Sequence, residues 1–152
     1  MKKVLKIILI FLIGSIGYGA IEIAFRGFTH WSMVLTGGAC LLSLYHINLS
    51  IKDAPIALKA LIGAVIITVY ELSVGTMVNK WFGLNVWDYS ALQGNYKGLI
   101  CPLFSFIWFF LCFFLASLWV FFYNKYGKKN GQAEDELYAE QVEAEKFSGL
   151  TM

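Results

Sequence analysis

Four long apolar runs limit what this chain can fold into. Each is close to the roughly 20 residues that an α-helix needs to cross the hydrocarbon core of a bilayer. Backbone N–H and C=O groups must be paired inside a membrane, so such runs are predicted to be helices. The four predicted spans are Val4–Phe25, Met33–Leu49, Ile56–Val78 and Leu99–Tyr123. The sequence therefore predicts an all-α protein, a four-helix transmembrane bundle with a long outer loop between its third and fourth helices.

The remaining composition agrees with a membrane domain and excludes other classes. Only 14% of the residues are charged, and these cluster at the ends and in the loops, with no basic stripe that would indicate nucleic-acid binding. We expect a four-span membrane domain over residues 1–126 and a polar cytoplasmic tail over residues 127–152, with a solvated helix or disordered stretch at Glu134–Lys146. The three cysteines lack ligand spacing and are expected to be buried free thiols: Cys40, Cys101 and Cys112. No metal site or cofactor is expected.

The basic residues are distributed unequally between the two predicted sides of the membrane. One side carries the lysines before the first span, in the second connection and after the fourth span: Lys2, Lys3, Lys6, Lys52, Lys59, Lys125, Lys128 and Lys129. The other side carries only Arg26, Lys80 and Lys97. The positive-inside rule then predicts a multi-pass protein of a bacterial-type cell membrane with both termini in the cytoplasm. A cleaved secretory signal ending near Ala20 is the competing interpretation, but the apolar run continues beyond that point.

Two carboxylates lie within the predicted spans, where a charge costs several kcal/mol. Tyr18, Glu22 and Arg26 are spaced four apart and share one helix face. Glutamate four residues before arginine favours an ion pair. Glu71 lies roughly 10 Å from the outer end of the third helix at about 1.5 Å per residue. We expect Glu71 to meet Glu22 and Arg26 in the outer half of the bundle.

These ionisable groups allow two interpretations. In the first, they form an outward-facing acidic cavity for a proton, a cation or an amine-bearing solute, because ionisable groups inside membranes usually serve function. In the second, Glu22 and Arg26 form a satisfied pair, while Glu71 is protonated and hydrogen-bonded. His30, at the outer boundary beside Trp31, is a further candidate for the same site.

Two helix surfaces and one loop complete the predicted bundle. Small and polar residues form a stripe on the second helix that favours close packing: Ser32, Thr36, Ala39, Ser43, His46 and Ser50. Phenylalanines surround the fourth helix, which we expect to pack through a narrow face of small groups: Gly98, Pro102, Ser105 and Cys112. The connection WFGLNVWDYSALQGNYKG is too polar to span and too apolar for a free loop, so we expect it to cap the outer cavity.

Short motifs in the second half of the chain form a recognisable pattern. ELSVG at Glu71–Gly75 is followed by WDYS at Trp87–Ser90, then Asn95, Gly98, Ile100–Cys101 and FSFIW. This pattern resembles the ABC-transporter permease family known as type IV, or CmpB-type. The resemblance implies a transport function and a shared set of functional candidates: Glu22, Glu71, Trp87, Asp88, Tyr89, Ser90 and Asn95. It also implies a separate ATPase subunit as partner. The sequence contains no Walker motif, so this chain is not expected to bind ATP itself.

The sequence thus predicts an integral membrane transporter or permease-like protein, and not an enzyme, that binds a small polar or cationic solute. Glu22 and Glu71 would supply charge, Arg26 would pair with them, and the WDYS loop would gate. One alternative is a non-catalytic membrane partner or assembly subunit. The less favoured alternative is a lipid-modifying enzyme with Glu71 or Asp88 as base and His30 as acid. The predicted partners are the lipid bilayer and a second copy of the chain. A homodimer is considered because four spans alone enclose only a small cavity.

The lysine distribution gives a testable topology. In a variant without the native cysteines, a cysteine introduced beside Lys97 is expected to react with an impermeant maleimide added to intact cells. A cysteine beside Lys125 is expected to react only after the cells are opened. Reaction of the second cysteine in intact cells would invert the topology and place the acidic residues near the cytoplasm.

Overall fold

The computed structural model describes residues 2–127 and consists of four long helices with irregular connections. The helices are α1 (Lys2–Arg26), α2 (Trp31–Ser50), α3 (Ile56–Gly75) and α4 (Pro102–Phe122). A π-helical turn, Thr76–Trp81, continues α3, and a second one, Tyr123–Gly127, continues α4. All four helices are long and apolar enough to cross a membrane. The predicted all-α, four-span fold is therefore confirmed.

The largest difference from the predicted spans is at the start of the fourth helix. Leu99 and Cys101 were predicted to begin it, but α4 starts at Pro102. Proline is favoured at the first helical position because its missing N–H would have no partner there. The chain before it turns at Gly98, whose φ is +70°. Leu99 and Cys101 are buried instead within the connection formed by residues 82–101, which we call the outer connection after its predicted side of the membrane.

The buried face of α4 also differs from the predicted one. Gly98 precedes the helix and Pro102 is exposed, so the predicted face of small groups is wrong in its first turn. The buried residues of α4 are Trp108, Cys112 and Ala116. A large indole therefore lies where small side chains were expected.

The closest packing in the bundle is between α1 and α2. A Cβ added to Gly37 would lie 2.4 Å from the Tyr18 Cβ atom, and one added to Gly38 would lie 2.4 Å from the Ser15 hydroxyl. Glycine lets two membrane helices approach this closely. The predicted stripe on α2 contributes less, since Ser32 is buried whereas His46 and Ser50 are exposed.

Two apolar clusters form the interior. The first joins α2, α3 and α4 and contains Leu44, Ala60, Ala64, Ile67, Trp108 and Cys112. The second lies under the outer connection and contains Met33, Val78, Val86 and Trp87. Hydrogen bonds between hydroxyl groups also link the helices. The oxygens of Ser43 and Tyr70 are 3.1 Å apart, and those of Thr68 and Ser105 are 3.3 Å apart.

The turn between α2 and α3 contains a buried lysine. Lys59 was expected to be one of the charges that flank this connection, yet it is only 2% exposed. Its ammonium group donates a hydrogen bond of 2.8 Å to the Lys52 carbonyl. Lys59 therefore helps to close the turn.

The chain divides into two compact units, residues 1–116 and 117–152, with the boundary inside α4. The first contains α1 to α3, the outer connection and most of α4. Of the second, the structure describes residues 117–127, where the Lys125 ammonium lies 5.7 Å from the centroid of the Phe121 ring. Apart from Gly127, the predicted tail, including Glu134–Lys146, lies outside the described residues, and its boundary after residue 126 stays a prediction.

The contrast between two glycines gives a test of the α1–α2 contact. Gly37→Ala is expected to destabilise the protein by about 1–3 kcal/mol, because the added methyl group overpacks a contact with no room. Gly17→Ala is the matched control, since a Cβ there would meet no described atom within 4 Å. Thermal unfolding in detergent measures both variants. Equal melting temperatures would contradict the close contact.

Candidate functional site

Glu22 is a buried carboxylate with both oxygens occupied. Its Oε1 accepts a hydrogen bond of 2.9 Å from the Arg26 guanidinium, and its Oε2 accepts one of 2.6 Å from the Thr29 hydroxyl. The ion pair predicted from the spacing of four is therefore confirmed. Charge-assisted hydrogen bonds of this kind offset the cost of removing a carboxylate from water.

Arg26 joins α1 to the outer connection. Besides Glu22, its guanidinium donates to the carbonyl of Val86, sixty positions further along the chain. The same group lies 4.7 Å from the centroid of the Phe28 ring. Arg26 is thus committed to Glu22 and Val86, and within the described chain it forms no ion pair with Glu71 or Asp88.

Glu71 faces the interior of the bundle and is 3% exposed. Its Oε1 accepts a hydrogen bond of 3.2 Å from the Tyr89 hydroxyl. Its Oε2 has no hydrogen-bond partner among the described residues, and neither has the Trp108 indole nitrogen. The Trp108 N–H still acts electrostatically on the Glu71 carboxyl. Glu71 therefore has one oxygen that a ligand or a proton can satisfy.

Glu71 was expected to meet Glu22 and Arg26, but the described hydrogen bonds do not join it to either residue. The Tyr18 hydroxyl is within electrostatic reach of both carboxylates. A shared site of these three residues stays a prediction.

The outer connection is held to the end of α3 by Asn79. The Asn79 side chain accepts the Val86 N–H at 2.6 Å and donates to the Trp87 carbonyl at 2.8 Å. The Trp87 indole in turn donates to the Leu99 carbonyl at 2.9 Å. A Cβ on Gly75 would lie 2.8 Å from the Trp87 ring, so this position has no room for a larger residue. Trp87 is therefore an anchor of the connection as well as a wall of the site.

Sequence reasoning missed the role of Asn79. The signal available was an amide directly after the apolar end of the third run, a place where a buried polar side chain needs partners. Those partners are backbone groups of residues that only the folded connection brings near.

Asp88 begins a tight turn. Its Oδ1 accepts hydrogen bonds of 2.6 Å and 2.8 Å from the hydroxyl and the backbone N–H of Ser90. These bonds lower the pKa of the exposed Asp88 carboxyl, so it stays charged at neutral and mildly acidic pH. Asn95 closes the loop by donating to the Ser90 and Leu92 carbonyls and accepting the Gly98 N–H. Ser90 and Asn95 thus shape the loop that presents Asp88.

Tyr89 links the loop to the helices. Its ring stacks on Phe104, with centroids 4.4 Å apart and planes 14° apart. Burial raises the pKa of the Tyr89 phenol, and the nearby Glu71 carboxyl raises it further. The phenol therefore stays protonated and keeps donating to Glu71.

These residues surround a cavity of about 510 Å³, which we call the polar cavity. Five lining residues come from α1, three from the outer connection and three from α4: Tyr18, Ile21, Glu22, Phe25, Arg26, Trp87, Asp88, Tyr89, Phe104, Ile107 and Trp108. Six of the ten predicted site residues line it. Glu71 does not line the cavity, but it accepts a hydrogen bond from Tyr89, which does. Ser90 and Asn95 support the loop.

His30 lies apart from this cavity. It caps the start of α2, where its Nδ1 accepts the Ser32 N–H at 3.3 Å and lies 2.7 Å from the Ser32 hydroxyl. Its ring packs on Trp31, with centroids 5.2 Å apart. The structure thus gives His30 a capping role that does not require a ligand.

Loss of the Asn79 side chain tests how the loop is held. Asn79→Ala leaves a buried N–H and a buried C=O without partners, at about 1–3 kcal/mol each. We expect a lower melting temperature and faster proteolysis between Phe82 and Cys101. Gln93→Ala, an exposed change in the same connection, is the control. If both variants resist protease equally, the amide does not hold the loop.

Comparison with known proteins gives one family. The family model described as Putative ABC-transporter type IV matches residues 11–135. The resemblance expected from the motifs is confirmed by this match. No curated protein and no solved structure matches the chain.

Proposed function

The chain belongs to this family and is a transporter-like membrane protein, and from that premise we propose that it binds a small polar or cationic solute in the polar cavity. The observation that carries the proposal is the composition of the cavity wall. It presents the carboxylates of Glu22 and Asp88 against the single guanidinium of Arg26. A largely apolar pocket with a few convergent polar groups is the usual form of a small-molecule site.

The charge balance of the wall favours a cation. Arg26 neutralises Glu22 and is also bound to the Val86 carbonyl. Asp88 then contributes one negative charge, held ionised by the Ser90 turn and within electrostatic reach of Lys80, which does not line the cavity. Apolar walls of low dielectric strengthen the field of such a charge inside a cleft. An amine or another small cation would be attracted to the cavity, and an anion would be repelled.

Glu71 gives the site a second carboxyl at greater depth. Tyr89 lines the polar cavity and also donates to Glu71, so it separates a bound solute from this residue. A solute that displaced the Tyr89 hydroxyl would reach a carboxyl whose other oxygen has no described hydrogen-bond partner. Intramembrane carboxyls of this kind commonly mark solute or proton pathways.

The direction and the energy source of transport are parts of the same proposal. With both termini in the cytoplasm, the polar cavity would open on the outer side of the cell membrane. An ATPase subunit, which the family description favours, would contact the cytoplasmic turn around Lys52 and Asp53 or the tail. A second copy of the chain would enlarge the pathway beyond what four helices enclose.

Neutralising Glu71 tests the proposal. Glu71→Gln keeps the shape and the hydrogen bond from Tyr89 but removes the charge that a cation needs. Ligand-induced thermal stabilisation in detergent is measured across a panel of small amines, metal ions and neutral polar solutes. We expect at least one cation to raise the melting temperature of the wild type, by mass action, and to lose this effect in Glu71→Gln.

Asp53→Asn is the matched control, because it removes the same charge from an exposed turn of the described chain. It is expected to respond to the cation as the wild type does. Equal stabilisation of Glu71→Gln and the wild type would make Glu71 a structural residue. The interpretation as a non-catalytic assembly subunit would be favoured if no cation in the panel stabilised the wild type, since Glu22 and Arg26 already satisfy each other.

A further inference from the structure

A second cavity, of about 210 Å³, adjoins the polar cavity on the same side of the bundle. We call it the apolar cavity. The two cavities share three wall residues, Tyr18, Ile21 and Trp108. The rest of the apolar cavity is formed by glycines and apolar side chains of all four helices, including Leu41, Leu44 and Leu111. Together the cavities form one crevice between α1 and α4.

The crevice changes character along its length. At one end lie Glu22, Arg26 and Asp88, and at the other end the wall reaches Ile13. Glu22 lies nine positions after Ile13 on α1, which is roughly 14 Å at about 1.5 Å per residue. A solute small enough for the polar end alone would leave the apolar end empty of ligand. A molecule with a charged head and an apolar chain matches both ends.

The crevice is open on a side of the bundle that would face the bilayer. Phe25 is 87% exposed, Ile13 is 62% exposed and Ile107 is 45% exposed, and all three line one of the cavities. They belong to helices that are long and apolar enough to span a membrane. Their exposed surfaces therefore face lipid, and a ligand can enter sideways from the hydrocarbon.

Gly17 and Trp108 adapt the crevice to such a ligand. A side chain on Gly17 would extend into open space, because a Cβ there meets no described atom within 4 Å. Gly17 is exposed and lines the apolar cavity, so a larger side chain has room at this edge of the cavity. Trp108, which is 8% exposed, lies at the junction of the two cavities, and its indole N–H approaches the Glu71 carboxyl. Its ring therefore forms an apolar wall common to both cavities.

We propose that the crevice binds one amine-bearing lipid drawn from the bilayer. Its amine would lie near Glu22 and Asp88, and its chain would fill the apolar cavity beside Gly17. The assignment rests on the proposed function, because it uses the polar cavity as the site for the head group, and it names the class of ligand. Charge complementarity at one end and the narrow apolar channel at the other end support this occupant over a free polar solute.

The experiment uses photolabelling of the whole protein in lipid nanodiscs. The probes are dodecylamine and dodecyl sulfate, each with a diazirine in the chain. Peptide mapping locates the adducts. We expect the amine probe to label crevice-lining residues of α1 and α4 about tenfold more than the sulfate probe, a difference of about 1.4 kcal/mol. Ethylamine in excess, which has the head but no long chain, is expected to compete only weakly.

Two substitutions on α1 separate the crevice from the general lipid surface. Gly17→Phe places a ring in the apolar cavity and is expected to abolish the preference for the amine probe. Gly17→Leu is the smaller variant, used if the first does not fold. Ile16→Phe is the matched control, since Ile16 is 70% exposed and lines neither cavity. The control is expected to label as the wild type does.

The outcomes distinguish the lipid from the smaller solute. Equal labelling by both probes, unaffected at Gly17, would mean ordinary surrounding lipid and would overturn the inference. If ethylamine stabilises the wild type but not Glu71→Gln, while the dodecylamine labelling lacks any crevice preference, the proposed function holds and the lipid inference fails. Selective labelling lost at Gly17, without any effect of small cations, would support the lipid and reject the small solute.

Discussion

The bond network of Arg26 is the interaction on which the junction of α1 with the outer connection depends. A lone carboxylate at the depth of Glu22 would cost several kcal/mol in hydrocarbon. Arg26 removes that cost and, with the same guanidinium, holds the Val86 carbonyl of the outer connection. One side chain therefore stabilises a helix and positions a loop. The polar cavity exists because the end of α1 and the loop are fixed to each other at this point.

The two buried glutamates are satisfied to different degrees, and this difference separates structure from function. Glu22 has an ion pair and a hydroxyl donor, so both of its oxygens are occupied. Glu71 has one hydrogen-bond donor, Tyr89, on one oxygen, and the Trp108 indole N–H approaches the carboxyl without a bond of hydrogen-bond geometry. Buried polar groups are normally fully paired, and an incompletely paired one calls for an explanation. A bound proton or ligand is the explanation that the location of Glu71 favours.

The sequence predicted the features that depend on local pattern. The length of each apolar run was sufficient to predict the four spans. The spacing of Glu22 and Arg26 was sufficient to predict their ion pair. Contacts between distant segments were not predictable in this way. The Gly37 and Tyr18 contact and the Asn79 bonds to the loop depend on how helices meet, and a single sequence does not contain that information. Leu99 resembled part of a span because apolar composition does not distinguish a membrane helix from a buried loop.

The π-helical turn at the end of α3 restricts insertions and deletions in this region. The backbone N–H of Phe82 bonds to the Met77 carbonyl, five positions earlier, so the turn holds one residue more than an α-helical turn. Removing one residue there would restore the α-helical register but rotate Asn79 by about 100° around the axis. Its amide would then point away from Val86 and Trp87. The number of residues between Gly75 and Asn79 is thus fixed by the bonds that the Asn79 amide makes.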